Sequence, residues 1–105
     1  MNLNEAALNA LFIAKVREEN GADVKLEDIF KHTGGELIEA TEARARWEAN
    51  GFLSQELKND FAEELADVLI CVLIAAKRDN IDIESAVNLK MQKNAQRAAL
   101  EGDKK

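Results

Sequence analysis

Two pairs of carboxylates, Glu36/Glu39 and Glu64/Asp67, recur at the same i,i+3 spacing. On a helix that spacing puts both acids of a pair on one side. At about 100° per residue, Glu36 falls within roughly 40° of Ala40, Ala43 and Trp47, near the middle of an apolar stripe. Glu39 lies at the margin of that stripe. In the second pair, Glu64 projects between Val68 and Cys71 with Ala75 close by, and Asp67 lies at the border of the arc. An ionised carboxylate on a core-facing stripe demands a counterion. No equally placed pair of basic residues on another helix neutralises all four. Two like charges about 4 Å apart repel by about 4 kcal/mol at an effective dielectric near 20. Whole domains are stable by only about 5–15 kcal/mol. A divalent metal resolves the conflict, and all-oxygen ligation selects hard ions, Mg²⁺ or Mn²⁺, where phosphate supplies further ligands. The pattern points to an enzyme.

A complementary stripe follows later in the chain. Lys90, Asn94 and Arg97 project within about 60° of one another, alongside Ile83 and Val87. Facing a bundle interior, this trio could hold polyphosphate oxygens, with Arg able to engage two at once.

Four helices are needed to place these groups. The first is expected from about Asn4 to Glu19, with Leu8, Leu11, Phe12 and Val16 on one face and a stop at Asn20-Gly21. A connection over 22–32, including a short turn around Leu26 to Phe30, leads to a second helix from Thr33 or Gly34 to about Ala49. Asn50-Gly51 ends it. Ser54 or Asn59 caps a third helix reaching about Arg78. After an Asp79-Asn80 turn, Asp82 caps a fourth that runs to about Leu100. Short connections between helices make this an all-α fold, a four-helix bundle. The run Val68 to Ala76 is apolar on every side. One small bundle cannot cover that circumference, so a homodimer or a dimer of dimers is expected.

Bulk properties agree. A chain of 105 residues supports one domain, here read as residues 1–100 with a short charged tail over 101–105. Proline is absent and glycine numbers five, which favours long helices. The net charge of -6 argues against a nucleic-acid-backbone binder. It leaves nucleotides open, because bound cations reverse the local sign of a site. The single Cys71 lies inside the apolar run and reads as a small buried hydrophobe. That run is too short to span a bilayer, and Met1 to Glu5 lacks a basic signal region; a cytoplasmic setting is expected.

In order along the chain, Gly35-Glu36-Leu37-Ile38-Glu39, then Glu64-Leu65-Ala66-Asp67, then Lys90-Met91-Gln92-Lys93-Asn94-Ala95-Gln96-Arg97 resemble three motifs of one family. It is the all-α nucleoside triphosphate pyrophosphohydrolases, the MazG-like group that includes dimeric dUTPases and dCTP pyrophosphatases. Its pattern is E-E-x-x-E, then E-x-x-D, then K-x-x-x-N-x-x-R. The likeness spans about residues 30 to 97. Gly35 stands in place of the leading Glu, so no carboxylate role is carried to that position. The resemblance implies metal binding by Glu36, Glu39, Glu64 and Asp67. It also implies hydrolysis of a (deoxy)nucleoside triphosphate to monophosphate and pyrophosphate with Mg²⁺, or Mn²⁺ in its stead. Lys90, Asn94 and Arg97 would hold the phosphates, and Glu39 or Glu64 would polarise the attacking water.

Trp47 shares the stripe of Glu36 and is a candidate for stacking on a base. Lys31 to Gly35 open the second expected helix, where the glycines would let phosphate approach its N-terminus. His32, the one histidine, reads as a surface turn residue. Asn4 and Asn9 are further contact candidates. Two other readings compete. One is a non-catalytic interaction module built on Val68–Ala76, which leaves the inward acids unexplained. The other is the same scaffold acting on another phosphoanhydride, such as phosphoribosyl-ATP or an alarmone.

Overall fold

In a computed structural model, which describes residues 2–17 and 25–103, the chain is all-α. Its elements are α1 (Leu3–Arg17), α2 (Leu26–Ala49), α3 (Gln55–Arg78) and α4 (Ile83–Asp103). The side chains of Arg17 and Asp103 are outside the description, as is the expected stop at Asn20-Gly21.

The helix ends follow from local chemistry. At the end of α2, Gly51 N–H donates to the Glu48 carbonyl at 2.8 Å and Phe52 N–H to the Trp47 carbonyl at 3.0 Å. This pair of bonds closes a helix through a left-handed residue. Gly51 supplies it with φ of 72°, and Phe52 follows at 61°. The apolar contact that accompanies such a closure is also present: the Phe52 and Trp47 rings meet edge to face, centroids 5.0 Å apart. The end of α3 repeats the device with Asn80 at φ of 55°. Ile81 N–H reaches the Ala76 carbonyl at 2.8 Å, and Asn80 N–H the Lys77 carbonyl at 3.0 Å. Ser54 caps α3 by accepting from Leu57 N–H at 3.1 Å, whereas Asn59 pairs with Gln55. Asp82 caps α4, accepting from Ser85 N–H and Oγ.

α2 and α3, each of 24 residues, form a long antiparallel hairpin, and α1 packs on another side of α3. α4 touches only α1 and α3, and only near its start. Ile83, Glu84 and Val87 are half-buried there; every residue from Asn88 to Gly102 is exposed. Asn4 ties α1 to this corner. Its amide donates to Asp82 Oδ1 at 2.9 Å and its oxygen accepts from Glu84 N–H at 3.4 Å. The sequence-based reading of Asn4 as a ligand contact is thus replaced by a helix-to-helix tie.

The core is thin. Ala7, Ile29, Ala40, Ala43, Cys71 and Leu73 are its buried members among the described residues. The radius of gyration is 17.2 Å, against about 13 Å for a compact chain of this length. Accessible surface is 8003 Å², where a compact monomer of 11.6 kDa exposes about 5,800 Å².

Two expectations need correction. α2 begins at Leu26, not Thr33, so the expected short turn is its first turn and Gly34-Gly35 lie in its interior. Glycine resembles a helix start because it is a poor helix former, yet here it is carried by the packing on either side. The apolar face of α1 points mostly outward: Leu8, Phe12 and Val16 are exposed and Leu11 is half-buried, while Ala7 makes the inner contact. α4 extends through 101–103, part of the expected tail. Among the described residues, no helix is long and apolar enough to cross a membrane.

A Cβ added at Gly34 meets nothing within 4 Å. Gly34→Ala is therefore expected to raise stability by about 0.5–1 kcal/mol in urea denaturation. A loss of stability would contradict a helical Gly34.

Candidate metal centre on the α2–α3 seam

The hairpin brings the two acid pairs together. Carboxylate oxygens of Glu36, Glu64 and Asp67 all lie within 4.8 Å of one another. Glu36 comes from the middle of α2, and Glu64 and Asp67 from the middle of α3. Ala40 and Ala43, one and two turns beyond Glu36, are buried and let the helices approach closely. Glu36 is nearly enclosed, its side chain 12% exposed. Glu64 is half-buried, and Asp67 and Glu39 are exposed. Glu39 is not in that triad, yet it lies close enough to Glu36 and to Glu64 to share a hydrogen bond with either when one carboxyl carries a proton, and its charge repels both.

Like charges and partial burial act in the same direction. Burial, then Glu39 and Asp67, push the Glu36 carboxyl above the usual carboxylate range, while His32 pulls it down. Burial, then Glu39, Glu36 and Asp67, raise Glu64 likewise. Glu36 Oε2 and Glu64 Oε2 are buried without a hydrogen-bond partner. Buried acceptors are normally satisfied. Two orphaned carboxylate oxygens beside a third carboxylate form an all-oxygen donor set that fits a hard divalent cation.

The surroundings define the rest of the site. His32 Nε2 donates to Glu36 Oε1 at 3.1 Å across one turn of α2. This contact was missed in the sequence because the helix was expected to start one residue later. Once α2 includes His32, its i,i+4 spacing to Glu36 is the legible signal. An open pocket of about 330 Å³ beside the cluster is lined by Asp28, Lys31, His32, Gly35, Glu36 and Glu39. The glycines therefore border this pocket from mid-helix, and no helix N-terminus is there to receive phosphate. Behind the cluster, burial pushes the free Cys71 thiol up, against a hydrogen bond with Thr33 that lowers it. A buried, protonated thiol matches its reading as a small core residue.

Other candidates are not brought to the cluster within one chain. Lys90, Asn94 and Arg97 are exposed on the free length of α4, which makes no contact with α2. They do not face a bundle interior. Trp47 is eight residues beyond Glu39, about 12 Å along the helix axis. Its ring packs against Phe52 and Phe61 at the hairpin end. Its Nε1 is buried without a partner. Asn9 is exposed on α1.

Residues 33–99 match the MazG nucleotide pyrophosphohydrolase domain, a segment that contains all four acids and the Lys90/Asn94/Arg97 trio. No curated protein and no solved structure matches the chain.

A carboxyl whose folded pKa lies above its ordinary value of 4.5 binds its proton more tightly in the folded chain. The metal-free fold therefore loses stability as pH rises from that value through the raised ones. Glu64→Gln, which keeps the shape and removes one charge, should melt above the wild type in EDTA at about pH 7, with the gap closing toward about pH 4. A gap independent of pH would show that the cluster carries no such strain.

Proposed function

The chain belongs to the MazG nucleotide pyrophosphohydrolase family, and on that premise we propose that it hydrolyses a (deoxy)nucleoside triphosphate between the α- and β-phosphorus. The products are the monophosphate and pyrophosphate. The observation that carries this reading is the convergence of Glu36, Glu64 and Asp67 with buried, unpartnered oxygens on two of them. An interaction module alone gives no reason to assemble such a costly group.

Glu36, Glu64 and Asp67 would hold Mg²⁺, with Mn²⁺ as an alternative, and Glu39 would complete the set from the rim. When bound, the cation supplies charge neutralisation on the phosphates and Lewis-acid activation of water. The protein's own part is geometric and electrostatic. The α2–α3 seam fixes the acids, and the open side at Gly35 admits the phosphate chain. Attack of water at the α-phosphorus forms one P–O bond and breaks the bond to the bridging oxygen, and pyrophosphate leaves. The water's proton passes to a carboxylate. Glu39 and Glu64 are the candidates for that base.

The functional unit is proposed to be a homodimer or a dimer of dimers. The chain exposes about 2,000 Å² more than a compact monomer of its mass. Obligate homodimers bury surface on that scale. Leu8, Phe12 and Val16 on α1, and Leu69 and Val72 on α3, provide exposed apolar residues for it. In this arrangement Lys90, Asn94 and Arg97 act on a phosphate held by another copy's acids, where Arg97 is suited to bidentate contact. Trp47 is assigned to the hairpin-end packing rather than to the base.

Incubation with each triphosphate plus Mg²⁺, followed by chromatography, tests activity, bond cleaved and base preference together. Phosphoribosyl-ATP and alarmones belong in the same panel. Release of orthophosphate instead of pyrophosphate would refute the cleavage site. Glu64→Gln is expected to lose about 10²–10⁴-fold in kcat while sedimenting as the wild type does. Mg²⁺ with a non-hydrolysable triphosphate, at about 100 times its Kd, should stabilise the wild type by about 2.7 kcal/mol. No shift in melting temperature would favour a purely structural module.

A further inference from the structure

The carboxylate of Glu36 is divided between two tasks. Its Oε1 accepts from His32 Nε2 at 3.1 Å, and its Oε2 is buried without a partner. A carboxylate pinned at one oxygen has little freedom to rotate, so the other oxygen keeps its direction. The orphaned oxygen lies on the residue that forms the triad with Glu64 and Asp67. On these grounds we infer that His32 is a positioning residue, which holds the Glu36 carboxylate so that its free oxygen is directed to a divalent cation. The inference rests on the metal-dependent reading above and assigns to His32 a part in it.

The surroundings of Glu36 show why such a holder is needed. Glu39 and Asp67 both face it and both repel its charge; His32 is the neighbour that favours the ionised form. At the adjoining position Gly35 offers no side chain, and a Cβ built there meets nothing within 4 Å. That position thus supplies no hydrogen bond to the Glu36 carboxylate. His32, one turn earlier on the same helix, reaches it from the pocket side. The imidazole is 70% exposed, so replacing it removes little packing and the fold should survive. Ligand carboxylates are commonly held by such outer hydrogen bonds, and losing one weakens metal binding by about 10–100-fold.

The test is Mn²⁺ binding to the full chain without nucleotide, read by loss of the free-ion electron paramagnetic resonance signal. His32→Ala should weaken binding by about 10-fold or more. His32→Gln, whose amide N–H can make the same donation, should restore most of the affinity. Melting of the metal-free variants should stay at the wild-type value, which separates positioning from a general structural role. Wild-type affinity in His32→Ala, within about twofold, would overturn the inference and leave the metal centre standing. If His32→Ala and His32→Gln are equally weak, the ring itself is a ligand and the positioning role is refuted. If the wild-type protein binds no Mn²⁺, while Glu64→Gln behaves identically, the metal-dependent reading fails and this inference falls with it.

Discussion

Carboxylates of one sign are kept within a few ångströms of one another in a half-buried seam, and most of the structure serves to hold them there. Glu36, Glu64 and Asp67 repel, so packing on either side must impose the register of α2 against α3. Small residues do part of this, since Ala40 and Ala43 are buried where the helices cross closely. The turn does the rest. A Schellman closure at Gly51-Phe52, a Ser54 cap and the Trp47–Phe52 contact allow the hairpin one geometry. A one-residue slip would turn every side chain of α3 by about 100° and remove Glu64 from the seam. The aromatic group at the hairpin end, with Trp47 about 12 Å along α2 from Glu39 and Phe61 one turn before Glu64 on α3, therefore supports the register that sets the acids.

A second constraint is that this chain does not bury enough of itself. Its core consists mostly of small residues, and Leu73 is the one large aliphatic on α3 that is almost wholly enclosed, at 4% exposure. α4 is anchored at its first turns by the Asn4–Asp82 tie and is then exposed along its length. An amphipathic helix with no core to rest on contributes little to stability within one chain. The surplus surface and the free basic face of α4 have a common explanation if copies associate, because each then completes what the other lacks.

Much of the site was legible in the sequence, because helical projection is a local property. It placed Glu36 in mid-stripe and Glu39 at the margin, and the structure finds the first nearly enclosed and the second exposed. It separated Glu64 from Asp67 in the same way. The caps at Ser54 and Asp82, and the Asn50-Gly51 and Asp79-Asn80 ends, follow from side chains that bond their own backbone. The misplaced features have two physical origins. Gly34-Gly35 carry a propensity cost that reads as a boundary, and tertiary packing overrode it, which also hid His32 from Glu36. The inward face assigned to Lys90/Asn94/Arg97 assumed that this stripe meets a core in its own chain. Nothing in a periodic pattern tells whether the covering surface is intramolecular.

The glycine pair that obscured the helix start also bears on the charge balance of the site. An acid at position 35 would add another negative group near Glu39 and Glu36, and the Glu36 carboxyl is already pushed up by burial and by its acidic neighbours. Glycine removes that repulsion, which offsets part of its helix-propensity cost of about 1 kcal/mol relative to alanine, since a like-charge pair one turn apart costs about 0.2–0.5 kcal/mol. It also leaves open the pocket wall that Gly35 lines. The departure from the family pattern at Gly35 thus leaves the charge of the seam to Glu36, Glu39, Glu64 and Asp67, with His32 the neighbour that eases Glu36.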